Sequence, residues 1–415
     1  MNYSKFGKKF TKSNAISQLM DDLGKANHSN NPNIIMLGGG NPALIPEASE
    51  CFIAELSELI NSSKATQMIG LYDAPQGNEA FINALVDMFN KHYPWELRAS
   101  NIALTNGSQS SFFSLFNLLA GEMPDGSQKK ILFPLAPEYV GYADQGLSEK
   151  MFSSVKPEIT LLDNKQFKYQ IDFDALHIDK SIAAICVSRP TNPTGNVITD
   201  QELAKLDQLA QQHQIPLIID NAYGLPFPAA VYTDAELSWN QNTILCLSLS
   251  KLGLPGLRTG IVIANDNIIH ALRQISGIMT LAPNGVGSTL LTRMVKNDEL
   301  LPLCHTIIKP YYQQKAMVAI ELFKQIFADL PVYLHKLEGA FFMWLWFKDM
   351  GVNSDTLYQQ LKQQDVYIIS GSNFFMGIDD AWEHQYQCIR INYAKDKEEL
   401  KKGLEIIRNT ICKSS

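Results

Sequence analysis

Residues Ala183–Asp220 read AAICVSRPTNPTGNVITDQELAKLDQLAQQHQIPLIID, and the order of the pieces in that stretch decides the fold. Ala183–Ser188 is apolar on both faces, as a strand covered by helices on both sides should be. Two prolines and a glycine then stiffen a turn. Thr199 and Glu202 stand in capping-box spacing, and Leu203, Leu206 and Leu209/Ala210 form one stripe, which predicts a helix over Thr199–His213. Pro216–Asp220 is apolar again and ends in an aspartate. Strand, crossover helix and strand are the repeating unit of a parallel sheet.

The same texture continues on both sides. Ile102–Thr105, Lys130–Phe133, Thr243–Leu249 and Gly260–Ala264 read as further buried strands separated by helical segments. The expected fold class is therefore α/β, with a mostly parallel central sheet flanked by helices. Beyond about Pro310 the pattern changes. A long helical segment, Tyr311–Leu330, leads into strands at Val332–His335 and Phe341–Phe347. A helix at Ser354–Gln364, a strand at Cys388–Tyr393 and a charged terminal helix follow. That is a smaller α+β unit. The expected division is a large domain over 51–309 and a small domain made of 1–50 with 310–415.

With 415 residues the chain is too long for one small core. Hydrophobic residues at 46% and charged residues at 19% are the balance of a globular protein. A net charge of -7 argues against a generic nucleic-acid binder, which needs a basic face. None of the cysteines forms a C-x-x-C pair or a zinc-type cluster, so no metal centre is expected. Cys186 and Cys246 lie in apolar runs and read as small hydrophobes in a reducing compartment. Met1–Phe10 is polar and basic, without an apolar stretch of signal-peptide length. No run approaches the ~18 apolar residues of a membrane span. A cytoplasmic protein without membrane or nucleic-acid partners is the expectation.

Chemically unusual residues cluster where the strands end, and ligands of open α/β sheets bind beyond those carboxyl ends. In Leu247-Ser248-Leu249-Ser250-Lys251, a lysine follows an apolar run. In isolation it would pass for a surface lysine. In a dry pocket its pKa would fall and it would become a nucleophilic amine. Ser248, Ser250 and, after a glycine-rich bend, Arg258 offer what a phosphate needs. In Ile218-Ile219-Asp220-Asn221-Ala222-Tyr223, a carboxylate closes a buried strand, which is costly unless a cation or hydrogen bonds compensate it. It is either a loop aspartate or the partner of a protonated ring nitrogen. Asn192, between Pro190 and Pro193, is placed to present an amide to a ligand. In Thr105-Asn106-Gly107-Ser108-Gln109 a strand turns into a helix, whose N-terminus is a ready anion site.

Taken together and in this order, the PTNPTG run, Asp220-x-x-Tyr223, Ser248-x-Ser250-Lys251, Arg258 and a late arginine, Arg390, resemble the fold-type I pyridoxal-phosphate (PLP) enzymes, in particular the class I and II aminotransferases. The likeness covers nearly the whole chain. Segments such as MLGGGNPALIPE, ILFPLAPEYVGYAD and LSLSKLGLPGLRTG are similar to the branch that exchanges amino groups between valine and pyruvate.

The resemblance implies a role for each matching residue. Lys251 would form the Schiff base with PLP and move the substrate's α-proton. Asp220 would keep the pyridine nitrogen protonated. Tyr223 and Asn192 would hydrogen-bond the phenolic oxygen, and Tyr139 would stack on the ring. Gly107, Ser108, Gln109, Ser248, Ser250 and Arg258 would cradle the phosphate. Tyr72 would reach the phosphate of a neighbouring subunit, implying a homodimer. Arg390, with Asn192 beside it, would grip the substrate's α-carboxylate, and Gly39 or Gly40 would let the backbone approach the substrate. Arg258 follows Lys251 by seven residues where the aspartate-specific branch has eight, which puts the detailed phosphate contacts in doubt. The implied reaction is ping-pong transamination between L-valine and pyruvate. Ile275–Gly287 carries no charge, which suits a neutral donor better than a dicarboxylate.

Three other readings fit parts of the sequence. The scaffold could host transamination of other neutral amino acids or another PLP reaction such as a carbon–sulfur lyase, because a fold does not fix which bond breaks. A PLP-sensing regulator would need a DNA-binding module, and the glycine-rich segment near Leu37 leaves too little chain before it. A catalytically dead scaffold should have lost at least one of Lys251, Asp220, Asn192, Tyr223 and Arg390.

Overall fold

Leu217–Asp220 lies between Ile182–Ser188 and Thr243–Ser248 and runs parallel to both, in a computed structural model that describes residues 1–415 except 13, 29, 30, 32, 381 and 415. The eight-stranded sheet formed by the described residues runs Ile102–Thr105, Gly260–Ile263, Thr243–Ser248, Leu217–Asp220, Ile182–Ser188, Gln128–Phe133, Gly121–Glu122, with Phe152–Ser154 also paired to Gln128–Phe133. Gly260–Ile263 is antiparallel to both neighbours, and Gly121–Glu122 is antiparallel to its own. The rest of the sheet is parallel, as the doubly apolar strands predicted. The register sets Ser188 opposite Asp220 and Asp220 opposite Cys246. Three strands therefore end together, and the segments carrying Asn192, Asp220 and Lys251 emerge on one edge.

Local chemistry fixes the helices. Asp200–Gln212 opens on the expected capping box: Thr199 Oγ accepts from the Glu202 N–H at 3.1 Å, and the Glu202 carboxylate accepts from the Thr199 N–H at 2.7 Å. Leu203, Leu206 and Ala210 are its buried face. The helix expected over Tyr311–Leu330 runs Lys309–Ile326 and stops early. Its last carbonyls are taken by cations from other elements. Arg408 binds the carbonyl of Ile326, and Lys165 binds those of Ala328 and Leu330 just beyond.

A second sheet runs Ile369–Ser370, Cys388–Asn392, Phe342–Phe347, Val332–His335, Gln166–Gln170, Glu158–Leu162. Its last two strands form a hairpin from the middle of the stretch expected to build the large domain. The hairpin pairs with Val332–His335 instead and buries Phe167 and Tyr169 against His335 and Trp346. Ile35–Met36 pairs with Val366–Tyr367, tying the start of the chain to its end. We propose the division at 51–309 and 1–50 with 310–415, with this hairpin reaching across it. Cys186, Cys246, Cys304 and Cys388 are buried and unpaired, while Cys51 and Cys412 are exposed. Among the described residues no helix is long and apolar enough to cross a membrane.

Candidate active site

Lys251 sits in a short 3-10 turn, Ser250–Leu252, directly after the strand Thr243–Ser248. Gly253 follows at φ 116, a left-handed conformation that turns the chain away and leaves the lysine pointing into the cleft. Nζ donates to the carbonyl of Gly40 at 2.9 Å and lies 5.2 Å from the Tyr223 ring centre and 5.8 Å from that of Phe341. Burial pushes the ammonium down to about 8; Arg390 and Arg258 act in the same direction, and Asp220 opposes them. Near neutral pH a useful fraction is therefore the free amine.

Asp220 closes the neighbouring strand. One carboxylate oxygen accepts from the Tyr142 hydroxyl in a very short hydrogen bond, and the other accepts from the Ala222 N–H at 3.0 Å. Burial raises its pKa; the Tyr142 hydroxyl, the Ala222 amide and Lys251 pull it back. Tyr142 itself is wedged among the rings of Phe112, Phe116 and Phe133. Sequence reading did not single it out. The available signal was its position three residues after Tyr139, across the turn Val140–Tyr142.

Arg390 lies on the strand Cys388–Asn392 and is 1% exposed. Its guanidinium donates to the Asn192 side-chain oxygen at 2.7 Å and to the Gly38 carbonyl at 2.6 Å, and rests over the Phe342 ring at 4.2 Å. Its Nε has no partner, and among the described residues it pairs with no carboxylate. Burial lowers its pKa to about 10, with Tyr223 and Tyr139 opposing, so it stays charged at neutral pH. The Asn192 amide nitrogen lies 3.5 Å from the Tyr223 hydroxyl. Arginine, asparagine, tyrosine and lysine thus form one chain of contacts across the cleft. Asn392, two residues after Arg390, holds the carbonyls of Gly39 and Asn41 at 2.8 and 3.2 Å. It fixes the loop on which Lys251 and Arg390 both lean, and sequence reading missed it. In that loop Gly38 is the glycine that packing demands: a Cβ there would meet the Ile368 carbonyl oxygen at 2.8 Å, whereas one on Gly40 would meet nothing.

A second cluster lies at the turn into the helix Ser108–Leu119. Gly107 has φ 87, and a Cβ on it would collide with the Arg258 guanidinium. Arg258 donates to Ser250 Oγ at 3.3 Å, and Ser248 Oγ accepts from the Ser250 N–H at 3.2 Å. Helix N–H groups, two hydroxyls and a guanidinium therefore converge around a bare backbone, a fitting cradle for an anion. The Gln109 side chain ties this turn to the Gly141 carbonyl at 3.1 Å. The Tyr139 ring stands edge-on to Tyr142 at 5.2 Å, within the electrostatic reach of Asp220, Arg258 and Arg390. Tyr72 is not drawn in. It is 84% exposed and lines a separate cavity of about 510 Å³ with Leu71, Asp73 and Asn284. That cavity borders the Gly107 turn, because the Asn284 N–H donates to Asn106 at 2.7 Å.

One cleft therefore combines a nucleophilic amine, a carboxylate suited to a protonated ring nitrogen, an anion cradle and a buried guanidinium without a carboxylate. Residues 32–407 match the family model described as aminotransferase class I and II. The chain is 50% identical to the valine–pyruvate aminotransferase of Escherichia coli (strain K12) over 99% of its own length and 98% of that protein's. The crystal structure of valine-pyruvate aminotransferase AvtA from Salmonella typhimurium LT2 superposes with a TM-score of 0.89. The two are 48% identical, with 96% of this chain and 99% of that one covered. A crystal structure from Psychrobacter arcticum 273-4 is 46% identical, with a TM-score of 0.96 over 100% of this chain and 99% of that one.

Proposed function

Because this chain belongs to the class I and II aminotransferase family, we propose that it is a PLP-dependent enzyme moving the amino group between L-valine and pyruvate. The products are 3-methyl-2-oxobutanoate and L-alanine, and the two halves of the reaction alternate in ping-pong fashion. The likeness to valine–pyruvate aminotransferases over nearly the full length favours this over a lyase on the same scaffold. The observation that carries the reading is Arg390. A buried guanidinium that pairs with no carboxylate among the described residues, 2.7 Å from Asn192, suits the carboxylate that every 2-amino and 2-oxo acid has.

The residues present fit the cofactor. The anion cradle at Gly107, Ser108, Gln109, Ser248, Ser250 and Arg258 would hold its phosphate, and the collision that any Cβ on Gly107 would meet explains a glycine there. Asp220 would face the ring nitrogen, with Tyr142 keeping its carboxylate oriented. Asn192 and Tyr223 would bind the ring's phenolic oxygen, and Tyr139 would cover one face. When bound, PLP supplies an electron sink for the charge left at a substrate's α-carbon. Lys251 does the rest of the chemistry. Its Nζ would hold the cofactor covalently, and as a free amine it would take up and give back the proton at the substrate's α-carbon. Arg390 fixes the α-carboxylate so that the α-proton faces that nitrogen. Gly39 or Gly40 would lie against the substrate.

We further propose a homodimer in which Tyr72 reaches the partner's phosphate. In support, Ile69, Leu71, Ile278 and Leu281 are exposed together with Tyr72. Six free cysteines are in keeping with a cytoplasmic location. Donor preference tests the substrate class. With pyruvate as acceptor, valine is expected to exceed aspartate in kcat/KM by about 10²-fold or more, since the uncharged stretch Ile275–Gly287 offers no cation to a second carboxylate. Steady-state rates with each donor check this, and aspartate or glutamate proving the better donor would overturn it.

A further inference from the structure

Beside Asp220 lies a buried carboxyl that the mechanism does not use. Glu138, next to Tyr139, is 1% exposed. One oxygen accepts from the Ser188 N–H at 2.9 Å and the other lies 2.5 Å from Ser188 Oγ. Its own N–H donates to the Phe374 carbonyl at 2.9 Å. Ser188 is the residue paired with Asp220 across the sheet, so the two carboxyls sit on adjoining strand ends.

Among the described residues, the ionisable groups that act on Glu138 are acids. Asp220 on the neighbouring strand, Tyr142 on the facing turn and Cys186 on the Ser188 strand each interact with it unfavourably when charged. Among the described residues no cation is its partner. Arg189, the nearest in sequence to Ser188, is committed to the carbonyls of Ile198 and Glu236 and to Asp200. A buried carboxylate with two hydrogen bonds from one serine, a like charge alongside and no counter-ion is not a stable arrangement. The carboxylic acid is: it donates to Ser188 Oγ through its O–H and accepts from the Ser188 N–H with its other oxygen.

We propose that Glu138 is a positioning residue held as the neutral acid, so that the cluster keeps a single negative charge and keeps it on Asp220. The inference rests on the reading of Asp220 as the ring-nitrogen partner. It makes Glu138 a device for tuning that charge: ionising Glu138 would set a second anion beside Asp220 and strengthen the latter's hold on a proton. Burial, only partly offset by the two Ser188 hydrogen bonds, pushes its pKa up to about 8, so the acid form prevails at neutral pH.

Infrared spectra of the full-length protein with and without PLP, taken across a pH series, test this directly. Wild type should show a protonated-carboxyl C=O stretch at neutral pH that fades with a midpoint near 8. The band should be missing from E138Q and present in D220N. E138Q should keep kcat/KM at neutral pH within about threefold, because an amide reproduces the acid's one donor and one acceptor toward Ser188. Absence of the band in wild type, or its loss in D220N but not in E138Q, would overturn the proposal. So would a folded E138Q that has lost activity, since a carboxylate would then be needed. If E138Q does not fold, S188A decides instead: removing the hydroxyl that Glu138 meets should shift the band, and an unshifted band refutes the proposal. The band needs no cofactor, so a wrong role for Asp220 would show as undiminished activity in D220N while the infrared result stood.

Discussion

Replacing Lys251 by alanine is expected to lower kcat/KM by about 10⁴-fold or more, because one side chain supplies both the covalent attachment and the proton transfer. The expectation follows from what surrounds Nζ. Its hydrogen bond to the Gly40 carbonyl is one that a neutral amine also makes. Burial and the positive charge of Arg390 disfavour the ammonium, against the weaker attraction of the Tyr223 and Phe341 ring faces. An alanine leaves the strand end and the turn intact, so the folded protein should still bind PLP through the anion cradle and Asp220, but without the visible band of a lysine-bound cofactor. In wild type, the rate at which the apoprotein acquires that band should rise with pH through about 8, as the ammonium gives way to the amine. Turnover with valine and pyruvate, together with the absorption spectrum, checks both. A K251A protein with near wild-type turnover would remove the lysine from the mechanism.

The second large effect is expected at Arg390. Arg390→Lys should lower kcat/KM for valine and for pyruvate alike by about 10²–10³-fold. A lysine cannot reproduce the two-pronged geometry, and it would strand the buried Asn192 oxygen and Gly38 carbonyl. The loss should fall on both substrates because both carry the same carboxylate next to the reacting carbon. The visible band of the cofactor should survive, since Lys251, Asp220 and the anion cradle are untouched, although Asn192 loses its support from Arg390. Separate kinetics for the two substrates, with the spectrum as control, distinguish this from a general loss of structure. A loss confined to one substrate would place Arg390 at a side-chain subsite instead.

Much of this arrangement is legible in the sequence. Lys251 and Asp220 stand out because each follows an apolar run at a strand's carboxyl end, and Asn192 because it sits between two prolines just past another such strand. The parallel register then brings those ends together. What escaped reading depends on contacts between distant positions. Tyr142 meets Asp220 across 78 residues, and Glu138 meets Ser188 across 50. Nothing near either residue hints at its partner. The Glu158–Leu162 strand hid for a different reason: it lies at a sheet edge and is largely exposed, so its pattern resembles a loop. The end of the Lys309–Ile326 helix was misjudged because Arg408 and Lys165, far along the chain, take up its last carbonyls and those just beyond.

The half-reaction tests the central claim most directly. The purified protein is loaded with PLP, its visible absorption recorded, and L-valine added with no oxo acid present. The expected result is conversion of the lysine-bound band to that of the aminated cofactor, followed by its return when pyruvate is added. A band that forms but does not respond to valine would contradict the assignment of valine as donor, and a valine-converted band that pyruvate fails to restore would contradict the assignment of the acceptor.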